Sequence, residues 1–128
     1  MRIKLTSVFV DDQDKALKFY TEVLGFVKKA DVPVGEFKWL TVVSPEEQEG
    51  TELLLEPNDN PAAKTFQADI YQQGIPAVTF TVDDIEKEFS RLKESGGDFK
   101  MEQTKMEGFS TAIFADTCGN LIQMLQLQ

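Results

Sequence analysis

Glu52, Gln123 and Cys118 are the side chains of this sequence with the most chemistry to offer, and what the chain lacks limits all three. It contains no histidine and a single cysteine. Without imidazole there is no Ser-His-Asp triad, no Cys-His pair and no histidine acid-base catalyst. One cysteine makes neither an intrachain disulfide nor a cysteine zinc site, and with nothing to activate it Cys118 reads as a turn residue. Glu52 is the one candidate general base: in a partly apolar cleft, desolvation would favour its neutral form and suit it to shuttle a proton. Gln123 reads as a hydrogen-bonding lining residue, and Glu56, at a strand end before Pro57, as solvated.

The elements that position these residues are set by an internal repeat. VDDQDKALKFYTEVLG (Val10 to Gly25) returns as VDDIEKEFSRLKESGG (Val82 to Gly97), with six identities at an offset of 72 (82 − 10). In the first copy, Ile3 to Val10 alternates and is rich in β-branched and aromatic residues, which predicts a strand. Asp11 or Asp12 then caps a helix whose apolar stripe is Ala16, Phe19, Tyr20, Val23 and Leu24, and Gly25 ends it. Strands are expected over Phe26 to Val32, Phe37 to Val43 and Glu52 to Leu55, divided by Pro33-Val34-Gly35 and by the polar run Pro45 to Gly50.

A bridge follows, with Asn60 as a cap, Pro61 at a first helical position, and Ala62, Phe66 and Ile70 along one face. The pattern then restarts. A strand is expected from Ala77 to Val82, a helix from Asp84 to Ser95 with Ile85, Phe89 and Leu92 inward, and strands near Phe99, over Thr111 to Ala115 and over Leu121 to Leu127. The offset of 72 also pairs Phe37 with Phe109 and Trp39–Val43 with Thr111–Ala115. The expected fold is α+β: two βαβββ repeats (1–57 and 76–128, joined by a bridge over 58–75) forming curved mixed sheets around a shared cleft, as one domain.

Alternation along the strands sorts the cleft residues. With Val8 and Val10 toward the helix, Leu5, Ser7 and Phe9 face the other way; likewise Ala77, Thr79 and Thr81 oppose Val78, Phe80 and Val82. Glu52, Leu54 and Glu56 then line the cleft opposite Leu53 and Leu55, as do Gln123, Leu125 and Leu127 opposite Ile122 and Met124. Trp39 is a further candidate, able to stack on a ligand. Near-repeat spacing matches Leu5 with Ala77 and Glu52 with Gln123.

VDDQDKALKFYTEVLGF, GTELLLEP, GIPAVTFTVDDIEKEFSRLKESGG and FADTCGNLIQMLQ together resemble the vicinal oxygen chelate superfamily of glyoxalase I, extradiol dioxygenases and bleomycin-resistance proteins, over essentially the whole chain. Thr117 and Cys118 depart from that family's usual Asp-Pro-x-Gly-Asn turn. The resemblance implies a divalent metal bound, in the catalytic members, at positions that fall on Leu5, Glu52, Ala77 and Gln123. Only Glu52 is a good ligand, whereas zinc, nickel or ferrous iron calls for imidazole or thiolate. The expectation is therefore a binding module with no metal and no cofactor, taking a small molecule, cationic or aromatic, as the bleomycin-resistance proteins do. The alternative is a lyase, isomerase or oxygenase using a non-standard metal site or Glu52 as base.

A net charge of −9 repels phosphate backbones, so nucleic acid is not an expected partner. No apolar run is long enough to span a bilayer and no signal-peptide pattern opens the chain, so the expected location is the cytoplasm, away from membranes. Two small halves that each bury little alone favour a homodimer.

Overall fold

A computed structural model describes residues 1–128. The chain divides into two compact units, Met1–Phe66 and Gln67–Gln128, with the division inside the bridging helix. The first unit contains β1 (Leu5–Val10), α1 (Gln13–Lys18, continued by a π-helical turn over Phe19–Val23), β2 (Val27–Val34), β3 (Phe37–Val43) and β4 (Glu52–Pro57). After α2 (Pro61–Gln72) come β5 (Val78–Thr81), α3 (Ile85–Glu94), β6 (Phe99–Met106), β7 (Phe109–Ala115) and β8 (Leu121–Leu127). Each unit builds one four-stranded mixed sheet that does not close into a barrel, in the order β1-β4-β3-β2 and β5-β8-β7-β6. The two repeats are thus βαβββ in the same topology. In each, the first and last strands run parallel and the other pairs antiparallel.

Why the chain folds this way is visible in the caps and the buried stripes. Asp12 and Asp84, matching residues of the repeat, each accept the N–H three residues on, at 3.0 and 3.1 Å, and so open α1 and α3. Ala16 and Tyr20 are fully buried on the first helix, and Ile85 and Leu92 on the third. Beneath them lie Val8, Val10, Leu40, Val42, Leu53 and Leu55 in the first sheet, and Ala112, Phe114, Ile122 and Met124 in the second. The π turn is the one helical feature the periodicity does not announce. It ends with Leu24 N–H on Phe19 O and Phe26 N–H on Tyr20 O, which brings Phe26 and Tyr20 into a stacked pair at 6.5 Å.

Two expectations are corrected. Pro33 and Val34 do not divide strands: they are the last residues of β2, and the turn is Gly35–Glu36. Proline is accommodated because β2 is a sheet edge. In α2, the buried positions are Ala63 and Gln67, while Phe66 is 57 % exposed and Ala62 is also exposed. A polar contact turns the helix this way: Gln67 Nε2 donates to Cys118 O and to Asn120 Oδ1, both at 3.1 Å.

Those acceptors belong to the turn before β8. Buried Asp116 accepts the N–H groups of Cys118 (2.7 Å) and Asn120 (2.9 Å) on one carboxylate oxygen and the Asn120 amide (2.8 Å) on the other. Cys118 is fully buried there. Thr117 holds φ +64°, a conformation closed to proline, whose ring fixes φ near −65°, so its departure from the family turn is matched by the backbone. Gly119, at φ +99°, is packed against Gln67: a Cβ at this residue would stand 2.7 Å from Nε2. Gly119→Ala is therefore expected to lower unfolding free energy by about 1–3 kcal/mol, through backbone strain and displacement of the Gln67 amide, measured by urea denaturation.

Candidate functional site

The strand pairing fixes which candidate residues are neighbours within each sheet. In the first, Leu5 lies beside Glu52, Ser7 beside Leu54 and Phe9 beside Glu56 on the parallel pair β1–β4. Thr41 lies opposite Leu54 across β3–β4, and Val32 opposite Trp39 across β2–β3. Alternation puts Leu5, Ser7, Phe9, Trp39, Thr41, Glu52 and Leu54 on the face turned away from the buried row Val8, Leu40, Val42, Leu53 and Leu55. Leu5 is 43 % and Trp39 44 % exposed, while Leu54 is buried. In the second sheet, Thr79 lies beside Gln123, Thr81 beside Leu125, Ile113 opposite Gln123 and Thr111 opposite Leu125. Ala77 precedes β5, with its N–H on Leu121 O at 2.8 Å.

The register corrects the matching of the two halves. Ser7 and Thr79 are one repeat of 72 apart, and so are Thr41 and Ile113, in keeping with the pairing of β3 with β7. Their partners on the last strands are Leu54 and Gln123, so Leu54 is the counterpart of Gln123, and Glu52 of Leu121. The offset there is 69 (123 − 54). The connection between β3 and β4, residues 44–51, is three residues longer than the one between β7 and β8, residues 116–120. Glu52 and Leu54 share a face, which gives Glu52 and Gln123 their near-repeat spacing without making them counterparts.

Both polar groups are already held. Thr41 Oγ1 donates to Glu52 Oε1 at 2.7 Å and accepts the Ala30 N–H at 3.1 Å. Thr41 is fully buried and Glu52 half-buried. On the second sheet, Gln123 Oε1 accepts from Thr79 Oγ1 and Gln123 Nε2 donates to Thr111 Oγ1, both at 3.0 Å, so the amide is oriented across three strands. Thr41 and Thr111 escape sequence reasoning because a threonine in a strand signals only β propensity.

Nor does the sequence single out Gln13. It opens α1, with Nε2 donating to Lys38 O and Leu55 O, both at 2.8 Å, and Oε1 accepting Lys38 N–H at 3.0 Å. Next to it, the Lys38 ammonium donates to Asp14 at 2.8 Å, and that hydrogen bond and charge raise the Lys38 pKa above its ordinary value.

These positions do not fit the metal site that the fold family carries. Leu5 and Ala77 offer no donor, the Gln123 carboxamide is engaged by two hydroxyls, and Glu52 alone brings a carboxylate, itself hydrogen-bonded by Thr41. No three Asp, Glu or Cys side chains are grouped to hold an ion.

With sheets, repeat and site residues in view, comparison with known proteins assigns the class. The family model described as the Glyoxalase/Bleomycin resistance protein/Dioxygenase superfamily matches residues 2–124, and the chain belongs to that superfamily. It is similar to YurT of Bacillus subtilis (strain 168), 60 % identical over 126 residues, covering 98 % of this chain and 99 % of that protein. Among solved structures, UcmS2 is 30 % identical with a TM-score of 0.85, over 98 % of this chain and 97 % of that one. TnmS3, an antibiotic binding protein from Streptomyces sp. CB03234, is 28 % identical with a TM-score of 0.79, over 100 % and 97 %.

Thr41→Val, which keeps shape and removes the hydroxyl, leaves the Ala30 N–H and the Glu52 carboxylate without this partner. A loss of about 1–3 kcal/mol in urea denaturation is expected, with Thr41→Ser retaining most of the stability.

Proposed function

We propose that the protein binds an organic small molecule without a metal, and that the ligand combines a flat aromatic body with a positive charge. One observation carries this reading. The face of the first sheet that holds Leu5, Phe9, Phe37 and Trp39 includes two carboxylates, Glu52 and Glu56, and no Lys or Arg at the regularly alternating positions of its four strands, while Lys29, in the bulge of β2, is paired with Glu49 at 3.0 Å. Neither carboxylate is ion-paired to a protein cation. Aromatic rings beside uncompensated negative charge attract a cation through the ring quadrupole and by Coulomb attraction in a partly desolvated setting. Within the second sheet, the face bearing Thr79, Thr81, Thr111, Ile113, Gln123 and Leu125 is polar and uncharged on β5, β7 and β8.

Family membership and the likeness to an antibiotic binding protein support binding at the level of the superfamily. The donor chemistry supports the metal-independent form. The chain has no helix long and apolar enough to cross a membrane. The reading places it in the cytoplasm as a homodimer, with the exposed apolar side chains of both sheets in favour of contact with a second copy.

The test uses the single tryptophan. A planar aromatic cation such as acridine orange is expected to quench Trp39 fluorescence saturably and to raise the melting temperature. Its uncharged analogue should bind about tenfold more weakly, and Glu52→Gln should abolish that difference. Absence of saturable binding by any aromatic cation in a screened panel would overturn the cationic reading. Stoichiometric transition metal surviving dialysis, and lost in Glu52→Ala, would overturn the metal-independent one.

A further inference from the structure

The two sheets differ at one joint. In the second, β7 pairs with β8 continuously, from Phe109–Leu127 to Ala115–Leu121. In the first, β3 pairs with β4 at Thr41–Leu54 and Val42–Leu53 alone, and the ladder stops before Trp39. Where the next rungs would form, the Gln13 side chain stands between the strands. Its amide N–H groups serve a carbonyl on each strand, Lys38 and Leu55, and its carbonyl takes the Lys38 N–H.

The repeat counterpart of Gln13 is Ile85, which has no polar side chain; there Ile85 N–H donates to the Gln126 side chain at 2.8 Å. The device therefore belongs to the first unit only. Past it, the β2–β3 hairpin carries four exposed apolar side chains, Val32, Val34, Phe37 and Trp39. The neighbouring Lys38–Asp14 ion pair is solvent-exposed and adds little hold of its own.

We propose that Gln13 is a latch that sets where Trp39 stands. With the Gln13 amide bridging Lys38 and Leu55, the arm Phe37–Leu40 holds one position. With the bridge open, the β2–β3 hairpin turns about the Thr41 and Val42 rungs and carries Trp39 with it. This deepens the proposed binding function and rests on it, because Trp39 belongs to the face assigned to the ligand; the latch itself is a property of the free protein. Gln13 is a positioning residue here, acting through β3 and touching no ligand. The arrangement lets the aromatic face of the first sheet yield to ligands of different size.

The experiment compares the wild-type chain with Gln13→Leu, which removes all three hydrogen bonds, and Gln13→Glu, which keeps the acceptor for Lys38 N–H but loses both donors. Native-state hydrogen exchange is followed at Lys38, Trp39 and Leu40, with β7 residues 109–115 as internal reference. Both variants are expected to exchange at least about tenfold faster in the arm, with β7 unchanged and Trp39 more open to acrylamide quenching. Gln13→Glu keeps the test in hand if Gln13→Leu fails to fold. Acceleration spread equally over both sheets, or no acceleration in the arm, would overturn the latch. If the arm loosens as expected but wild-type protein binds no aromatic cation, the latch stands and the cationic-ligand reading falls; weaker acridine orange binding in the loosened variants supports both.

Discussion

The strict alternation of side chains along a pleated strand is the constraint on which this protein's site depends. Val8, Val10, Leu53 and Leu55 bury against the first helix, and that burial fixes the register in which β1 runs beside β4. A slip of one residue would send all four into solvent and their polar neighbours into the core. Held in register, Leu5, Ser7, Glu52 and Leu54 have no choice but to occupy the other face. The chemistry of that face is thus dictated by the packing of the face behind it.

What occupies the face sets this chain apart from the metal-site pattern that the resemblance implies for catalytic members of the superfamily. Aliphatic side chains stand at two of that pattern's positions, and the one good carboxylate is bound to Thr41 on the adjacent strand β3. Both Glu52 and Gln123 have hydroxyl partners within the protein, so under the proposed binding function shape, aromatic surface and net charge are left to select a ligand.

The fold was legible in the sequence because its two strongest signals, the recurring Val-Asp-Asp helix start and the alternation of the strands, are local. The caps at Asp12 and Asp84 and the strand β8 at Leu121–Leu127 follow directly from them. The errors arose where a tertiary contact outweighs a local pattern. Phe66 looks like a buried helix residue, but the Asp116–Asn120 turn needs the Gln67 amide more than the core needs Phe66, and one rotation of α2 decides between them. Spacing along the chain pairs Glu52 with Gln123 because it does not reveal that one connection has three extra residues. Gln13 and Thr41 left no signal at all, since their partners are backbone groups and side chains supplied by strands distant in sequence.

Pro33 near the tip of β2 has a consequence for how the molecule meets others of its kind. An exposed outer strand is a template on which a foreign strand can grow a sheet, and unchecked growth of that sort leads to aggregation. Proline has no N–H to lend to an incoming chain, and the lysines at 28 and 29 add charge along the same strand. One margin of the first sheet is thereby closed to strand addition at the place where its most apolar side chains are on display.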